Sequence, residues 1–244
     1  MDALCLAAGQ GTRFGSLGRY LQKCMYPVGL TPFVAYSVHN LLRSGAVRPG
    51  RDRLTLVIGH HGDQVRRYFG DAYHGLAVAY LDQARPEGTG HALALAQEAL
   101  RPASSLLCWL ADAYVPATSF AQLAAHRADT VLTLAPDPAG ENPRVRTDVR
   151  DGRVVRALQG RGPGADMGVW KMAPDVMRDM RDRGADGEIR MLPNLQRMID
   201  AGREVGYVEA REWLHLGGTA PTPEANVLRV VDRVRALEGL EGPA

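Results

Sequence analysis

Up to residue 135, short apolar runs alternate with amphipathic stretches, the pattern of strands feeding helices that cover a largely parallel sheet. The spacing predicts strands over 3–8, 54–59, 76–82, 105–111 and 130–135. Between them it predicts helices over 32–44, 62–69, 89–100 and 117–127. Phe33, Tyr36, Leu41 and Leu42 turn toward the sheet, Gly45 stops the first helix, and Pro102 stops the alanine-rich third. The fourth strand empties onto Asp112.

Beyond residue 135 the alternation loosens. A turn-rich loop covers 137–142, and strands over 144–149 and 154–158 form a hairpin about Asp151-Gly152. A flexible loop spans 160–164, followed by a short strand over 169–172, helices over 175–183 and 188–201, strands over 205–209 and 213–216, and a closing helix over 223–237. With 244 residues and no repeat, one α/β domain with a subdomain is the natural architecture.

Composition narrows the partners. A net charge of +2 without a basic run interleaved with aromatics argues against nucleic acid. No segment approaches the roughly 18 apolar residues of a membrane helix. Asp2 and the early glycine loop leave no room for a signal peptide. Cys5, Cys24 and Cys108 are an odd set without metal-ligand spacing, so reduced thiols in a cytoplasm are expected, with Cys5 and Cys108 as small core residues. Of the 29 basic residues, only Lys23 and Lys171 are lysine. A chain that uses arginine elsewhere and keeps Lys23 points to a need for a compact point charge.

The candidate chemistry sits after the first strand. Gly9-Gln10-Gly11-Thr12-Arg13 follows an apolar run, and Lys23 comes soon after. Glycines let backbone N–H groups approach an anion, and Arg13 and Lys23 add fixed positive charge, an arrangement suited to a polyphosphate. Phe14 stands where a dinucleotide-binding loop wants its third glycine, and neither lysine follows a glycine as in a P-loop. Taken alone the loop fits a structural turn equally well, and Asp112 fits a helix cap. His91 reads as a packing or capping residue. His60-His61 point to opposite faces of a strand and make no metal pair.

The combination is more specific. Leu6-Ala7-Ala8-Gly9-x-Gly11-Thr12-Arg13 followed by Lys23-x-x-x-Pro27-Val28 resembles the signature of the sugar-phosphate nucleotidyltransferases (nucleoside-diphosphate-sugar pyrophosphorylases). Gly88-Thr89-Gly90-His91-Ala92-Leu93 looks like the family's base-recognition segment, the strand ending at Asp112 like its metal-binding strand, and Met167-Gly168-Val169-Trp170 like its acceptor-side strand. The resemblance implies a Rossmann-like three-layer α/β/α fold with a mostly parallel mixed sheet and a small acceptor-binding lobe. Residues 1–135 would be the nucleotide-binding half, 136–220 the acceptor-binding half and 221–244 a C-terminal helix, all in one domain.

It also implies transfer of a nucleoside monophosphate from a nucleoside triphosphate to a phosphorylated small-molecule acceptor, by default a sugar 1-phosphate, with release of pyrophosphate. The Gly-Thr-Gly-His form of the base segment looks more like uridylyl or thymidylyl transfer. In this resemblance Leu6, Ala8, Gly9, Gln10, Gly11, Thr12 and Arg13 hold the nucleotide, and Gln83, Gly88 and Thr89 border its base. Lys23 holds phosphate oxygens at the reacting centre, and Asp112 binds Mg²⁺. Arg13, Lys23 and Asp112 form the catalytic set. Gln159, Arg161, Gly168 and Lys171 face the acceptor, with Lys171 reading equally well as a rim lysine. Self-association stays open.

Two departures stand out. The family commonly ends in Trp-x-Asp-x-Gly-Thr, with the aspartate as second metal ligand; here Trp213-Leu214-His215-Leu216-Gly217-Gly218-Thr219 places His215 at that position. Imidazole is a poor ligand for Mg²⁺. The family's glutamate-lysine-proline segment is also missing, with Gln159-Gly160-Arg161 in its place. A cytidylyltransferase for a non-sugar phosphate and a non-catalytic nucleotide-binding module of the same fold therefore remain rivals.

Overall fold

The computed structural model describes residues 1–137, 142–218 and 222–240, with the side chain of Arg13 outside that description. Its strands are β1 (Ala3–Ala7), β2 (Pro27–Val28), β3 (Thr31–Pro32), β4 (Arg53–Ile58), β5 (Ala72–Tyr73), β6 (Leu76–Asp82) and β7 (Leu106–Leu110), then β8 (Ala113–Tyr114), β9 (Val131–Pro136), β10 (Arg146–Arg150), β11 (Arg153–Arg156), β12 (Gly164–Met172), β13 (Gly206–Glu209) and β14 (Leu214–His215). The helices are α1 (Phe33–Arg43), α2 (Gly62–Phe69), α3 (Thr89–Leu100), α4 (Ala117–Ala125), α5 (Pro174–Arg178), α6 (Met191–Asp200) and α7 (Pro223–Leu237). Ten strands form one mixed sheet in the order β10-β11-β13-β9-β12-β7-β1-β4-β6-β5. β7, β1, β4 and β6 run parallel, so their carboxyl ends share one edge, and β12 runs antiparallel between β7 and β9.

The central strands β1, β4, β7, β9 and β12 are buried on both faces, which is why most of them read as continuous apolar runs. Along β1, Ala3, Cys5 and Ala7 join a cluster with α1, α2 and α4, while Leu4 and Leu6 join another with α3, α5 and α6. A third cluster packs α7 over Phe14, Phe33 and Tyr114. The Thr222 hydroxyl caps α7 by accepting the Ala225 N–H at 3.2 Å, ahead of Pro223. At its far end Glu238 accepts from Tyr114 Oη and Arg43 Nη1, each at 2.8 Å. The helix is pinned at both ends.

Several expectations are corrected in detail. The strand expected over 169–172 begins at Gly164, because Gly164 and Gly168 mask a strand whose register slips between Asp166 and Trp170. The helix expected over 175–183 stops at Arg178. Asn194 captures the chain beyond it, its Oδ1 accepting the N–H groups of Arg181 and Asp182 at 3.1 and 2.9 Å. The helix expected from 188 starts at Met191, since the Ile189 backbone pairs with Glu87 and Gly90. Much of the turn expected over 137–142 lies outside the described residues.

Candidate active site

The β1 chain end opens into a loop whose glycines answer different demands. Gly11 has φ +64°, and its carbonyl accepts the Phe14 N–H at 2.8 Å. Gly9 differs: its φ is ordinary, and a Cβ there would meet nothing within 4 Å. Neither backbone nor packing requires glycine at that position, so the room it leaves faces solvent and any occupant.

Gln22 fixes this loop to the next. Its Nε2 donates to the carbonyls of Ala7 (2.6 Å) and Gly9 (3.1 Å), its Oε1 accepts the Cys24 N–H (3.1 Å), and its own N–H reaches Gln64 Oε1 (2.8 Å). The side chain is only 3% exposed. Lys23 follows directly, and its Cβ lies 3.7 Å from where a Cβ on Gly11 would sit.

Lys23 Nζ donates to Asp112 Oδ2. The two side chains are 16% and 20% exposed, so the pair is shielded yet reachable. Burial pushes the Asp112 carboxyl up, but the Lys23 ammonium and then His215 outweigh it and hold the pKa below the ordinary carboxylate value. His215 reaches this spot because β14 pairs with β8, setting His215 beside Ala113, the neighbour of Asp112. A Cβ on Gly217 would lie 3.0 Å from Asp112 Oδ2, 3.2 Å from Lys23 Nζ and 3.3 Å from His215 Nδ1, so all three groups converge on one small space beside Gly217.

On the opposite side, Gln83 follows β6 with its Nε2 on the Gly88 carbonyl (3.1 Å) and on His91 Nδ1 (2.8 Å). His91 is thus a positioning partner of Gln83. Gly88, at φ +95°, abuts the Ile189 carbonyl, which a Cβ would approach to 2.5 Å. The Thr89 hydroxyl accepts the Met191 N–H at 3.2 Å. The 88–91 segment is therefore welded to the start of α6.

Between these walls lies a cleft of about 360 Å³ at the carboxyl ends of β1, β6 and β7. Leu6, Ala8, Gly9, Gln10, Gly11, Thr12, Lys23, Gln83, Gly88, Thr89 and Asp112 all line it. Gln22, Glu188 and Leu216 line it too and were missed. Gln22 had a signal in its place next to Lys23; Glu188 had none, because only the return of the chain to Gly88 brings it over. The Arg13 side chain lies outside the described residues, as does Thr219.

The acceptor-side residues fare differently. Gly168, at φ +79°, packs on Leu110 of the cleft wall, where a Cβ would meet Leu110 Cδ1 at 2.6 Å. Gln159 and Arg161 are exposed outside the cleft, on a turn held to β10 by Asp148 Oδ1, which accepts the Arg161 and Gly162 N–H groups at 2.6 and 2.7 Å. Lys171 is a correction. It pairs with Leu107 at the start of β7, the end of the strand away from the cleft, and its buried ammonium donates to the His126 carbonyl at 2.8 Å. Burial pushes its pKa down. It is not a rim lysine, and it lies away from the cleft.

Among the described residues, no group of three or more His, Cys, Asp or Glu side chains is placed to hold a metal ion. Asp112 and His215 could supply at most part of a coordination sphere, the remainder coming from a bound phosphate and water. No described helix is long and apolar enough to cross a membrane.

Comparison with known proteins places the chain in a family. The model of the MobA-like NTP transferase domain matches residues 3–173. The chain is 28% identical over 253 residues to a glucose-1-phosphate thymidylyltransferase of Streptomyces antibioticus, covering 98% of this chain and 69% of that protein. It is 33% identical over 168 residues to the bifunctional protein GlmU of Geobacter metallireducens, covering 66% of this chain and 31% of that protein. A UDP-glucose pyrophosphorylase solved with UDP-glucose superposes with a TM-score of 0.79 at 17% identity, covering 97% of this chain and 99% of that one, a likeness of fold. The chain belongs to the MobA-like NTP transferase family.

Proposed function

We propose that this protein transfers a nucleoside monophosphate from UTP or dTTP to a sugar 1-phosphate, forming a nucleoside-diphosphate sugar and releasing pyrophosphate. The observation that carries this reading is the facing of the open glycine loop by the Lys23–Asp112 pair across one cleft. In our reading the fold is the Rossmann-like three-layer α/β/α arrangement, with residues 136–220 supplying the acceptor side, in a cytoplasmic enzyme.

The reaction needs no protein nucleophile. A phosphate oxygen of the acceptor attacks the α-phosphorus in line, and the bond to the oxygen bridging toward the β-phosphorus breaks, with its electrons leaving on pyrophosphate. The protein's task is to bring two anions together and hold them aligned. Backbone N–H groups of Gly9–Thr12, with Arg13, take the triphosphate. Lys23 turns from Asp112 to the phosphate oxygens at the reacting centre. Gln83, Gly88 and Thr89 bound the base. Glu188 offers a carboxylate to acceptor hydroxyls from the rim beyond Gly88, with Gly168 backing that side of the cleft. A divalent cation held by Asp112 would offset charge on the phosphates.

Incubation with each triphosphate, a divalent cation and a panel of sugar 1-phosphates and amino-alcohol phosphates tests this. Pyrophosphate release with UTP or dTTP and a sugar 1-phosphate, lost in Asp112→Asn, is the expected result. Turnover only with CTP and a non-sugar phosphate, or nucleotide binding with no turnover on any acceptor, would overturn it.

A further inference from the structure

The place of His215 is unexplained by charge balance. Asp112 already has the Lys23 ammonium as its counter-ion, so a second positive charge beside it is not needed. Yet the imidazole is held with care. It stacks on Trp213 with ring centroids 4.5 Å apart and planes 23° from parallel, and its backbone carbonyl accepts Asn226 Nδ2 of α7 at 3.0 Å. Its Nδ1 shares with Asp112 Oδ2 and Lys23 Nζ the small space that Gly217 leaves open. The ring is thus held with a nitrogen beside the Asp112 carboxylate.

We propose that Asp112 and His215 form the protein's half of a divalent-metal site whose mixed oxygen–nitrogen donor set selects a first-row transition-metal dication, such as Mn²⁺ or Co²⁺, over Mg²⁺. The inference rests on the nucleotidyltransferase reading, because the remaining ligands are phosphate oxygens of the nucleotide. Magnesium favours an all-oxygen sphere, whereas imidazole favours the later dications. In the structure Lys23 holds the carboxylate. Its departure to the phosphates frees Asp112 Oδ2 at the moment the cation arrives with the nucleotide.

The probe is Mn²⁺ bound together with a non-hydrolysable triphosphate, read by pulsed electron paramagnetic resonance. A nitrogen coupling from a directly bound imidazole is expected, altered when the histidines carry ¹⁵N and lost in His215→Asp. That variant should keep the metal and shift the ratio of Mn²⁺ to Mg²⁺ affinity toward Mg²⁺ by about tenfold or more. The isotope substitution in unaltered protein needs no variant to fold. Mn²⁺ bound with no imidazole coupling overturns the role of His215 while leaving the nucleotide site standing. Nucleotide that brings no Mn²⁺ to the protein, with Asp112→Asn binding the same as the unaltered chain, overturns both.

Discussion

Gly9 and Gly88 look alike in the sequence and differ in what they are for. A Cβ on Gly9 meets nothing, whereas one on Gly88 would run into the Ile189 carbonyl at a φ of +95°. Gly9→Ala should therefore leave the melting temperature unchanged while kcat/KM for the triphosphate falls on the order of 10- to 100-fold, since small misplacements at a reacting centre are costly. Gly88→Ala should lower stability by about 1–3 kcal/mol from backbone strain, read as a shifted denaturation midpoint. Equal stability losses in both variants would refute the distinction. Lys23→Ala should reduce turnover ~10²–10³-fold, the scale of removing one donor from developing charge. A near-normal rate would take Lys23 out of the site.

At the scale of elements, the site is three loops tied at one sheet edge, and Gln22 is the knot between two of them. Gln22→Ala removes three side-chain hydrogen bonds that fix the glycine loop and the Lys23 turn, and should raise KM for the triphosphate while far-ultraviolet circular dichroism stays native. An unchanged KM would make Gln22 merely structural. The glycine loop, the Gln83–Thr89 wall and Asp112 were legible in the sequence because each directly follows a strand of strong apolar pattern. Glu188 and the burial of Lys171 were not. Both depend on the chain's return through β12 and the 179–190 segment, whose glycines and polar residues carry no periodicity. The helix stop at Arg178 likewise depends on Asn194, a partner distant in sequence.

Across the whole molecule, the largely parallel sheet of the first half was readable because its central strands β1, β4 and β7 are buried on both faces. The insertion of β12 between β7 and β9 was not, since an antiparallel neighbour leaves no mark in a local pattern. That strand carries a cost visible in pH dependence. Burial raises Asp166 to about 7, although Trp170 Nε1 donates to it at 2.7 Å. The protonated acid suits the fold, so its contribution is full below the ordinary carboxylate value and is lost as pH rises to about 7. Asp166→Asn should raise the melting temperature at pH 8 and flatten its decline between mildly acid and neutral pH; an unchanged profile would show that the site tolerates the charge.

The central claim is that the cleft between the glycine loop and Asp112 takes a triphosphate, with Lys23 exchanging its carboxylate for phosphate. A crystal structure of the protein with a non-hydrolysable triphosphate and Mn²⁺ tests it most directly. The account predicts phosphate oxygens on the N–H groups of Gly9–Thr12 and Lys23 Nζ moved from Asp112 onto the phosphates. A triphosphate bound elsewhere, or one in the cleft with Lys23 still on Asp112, would contradict it.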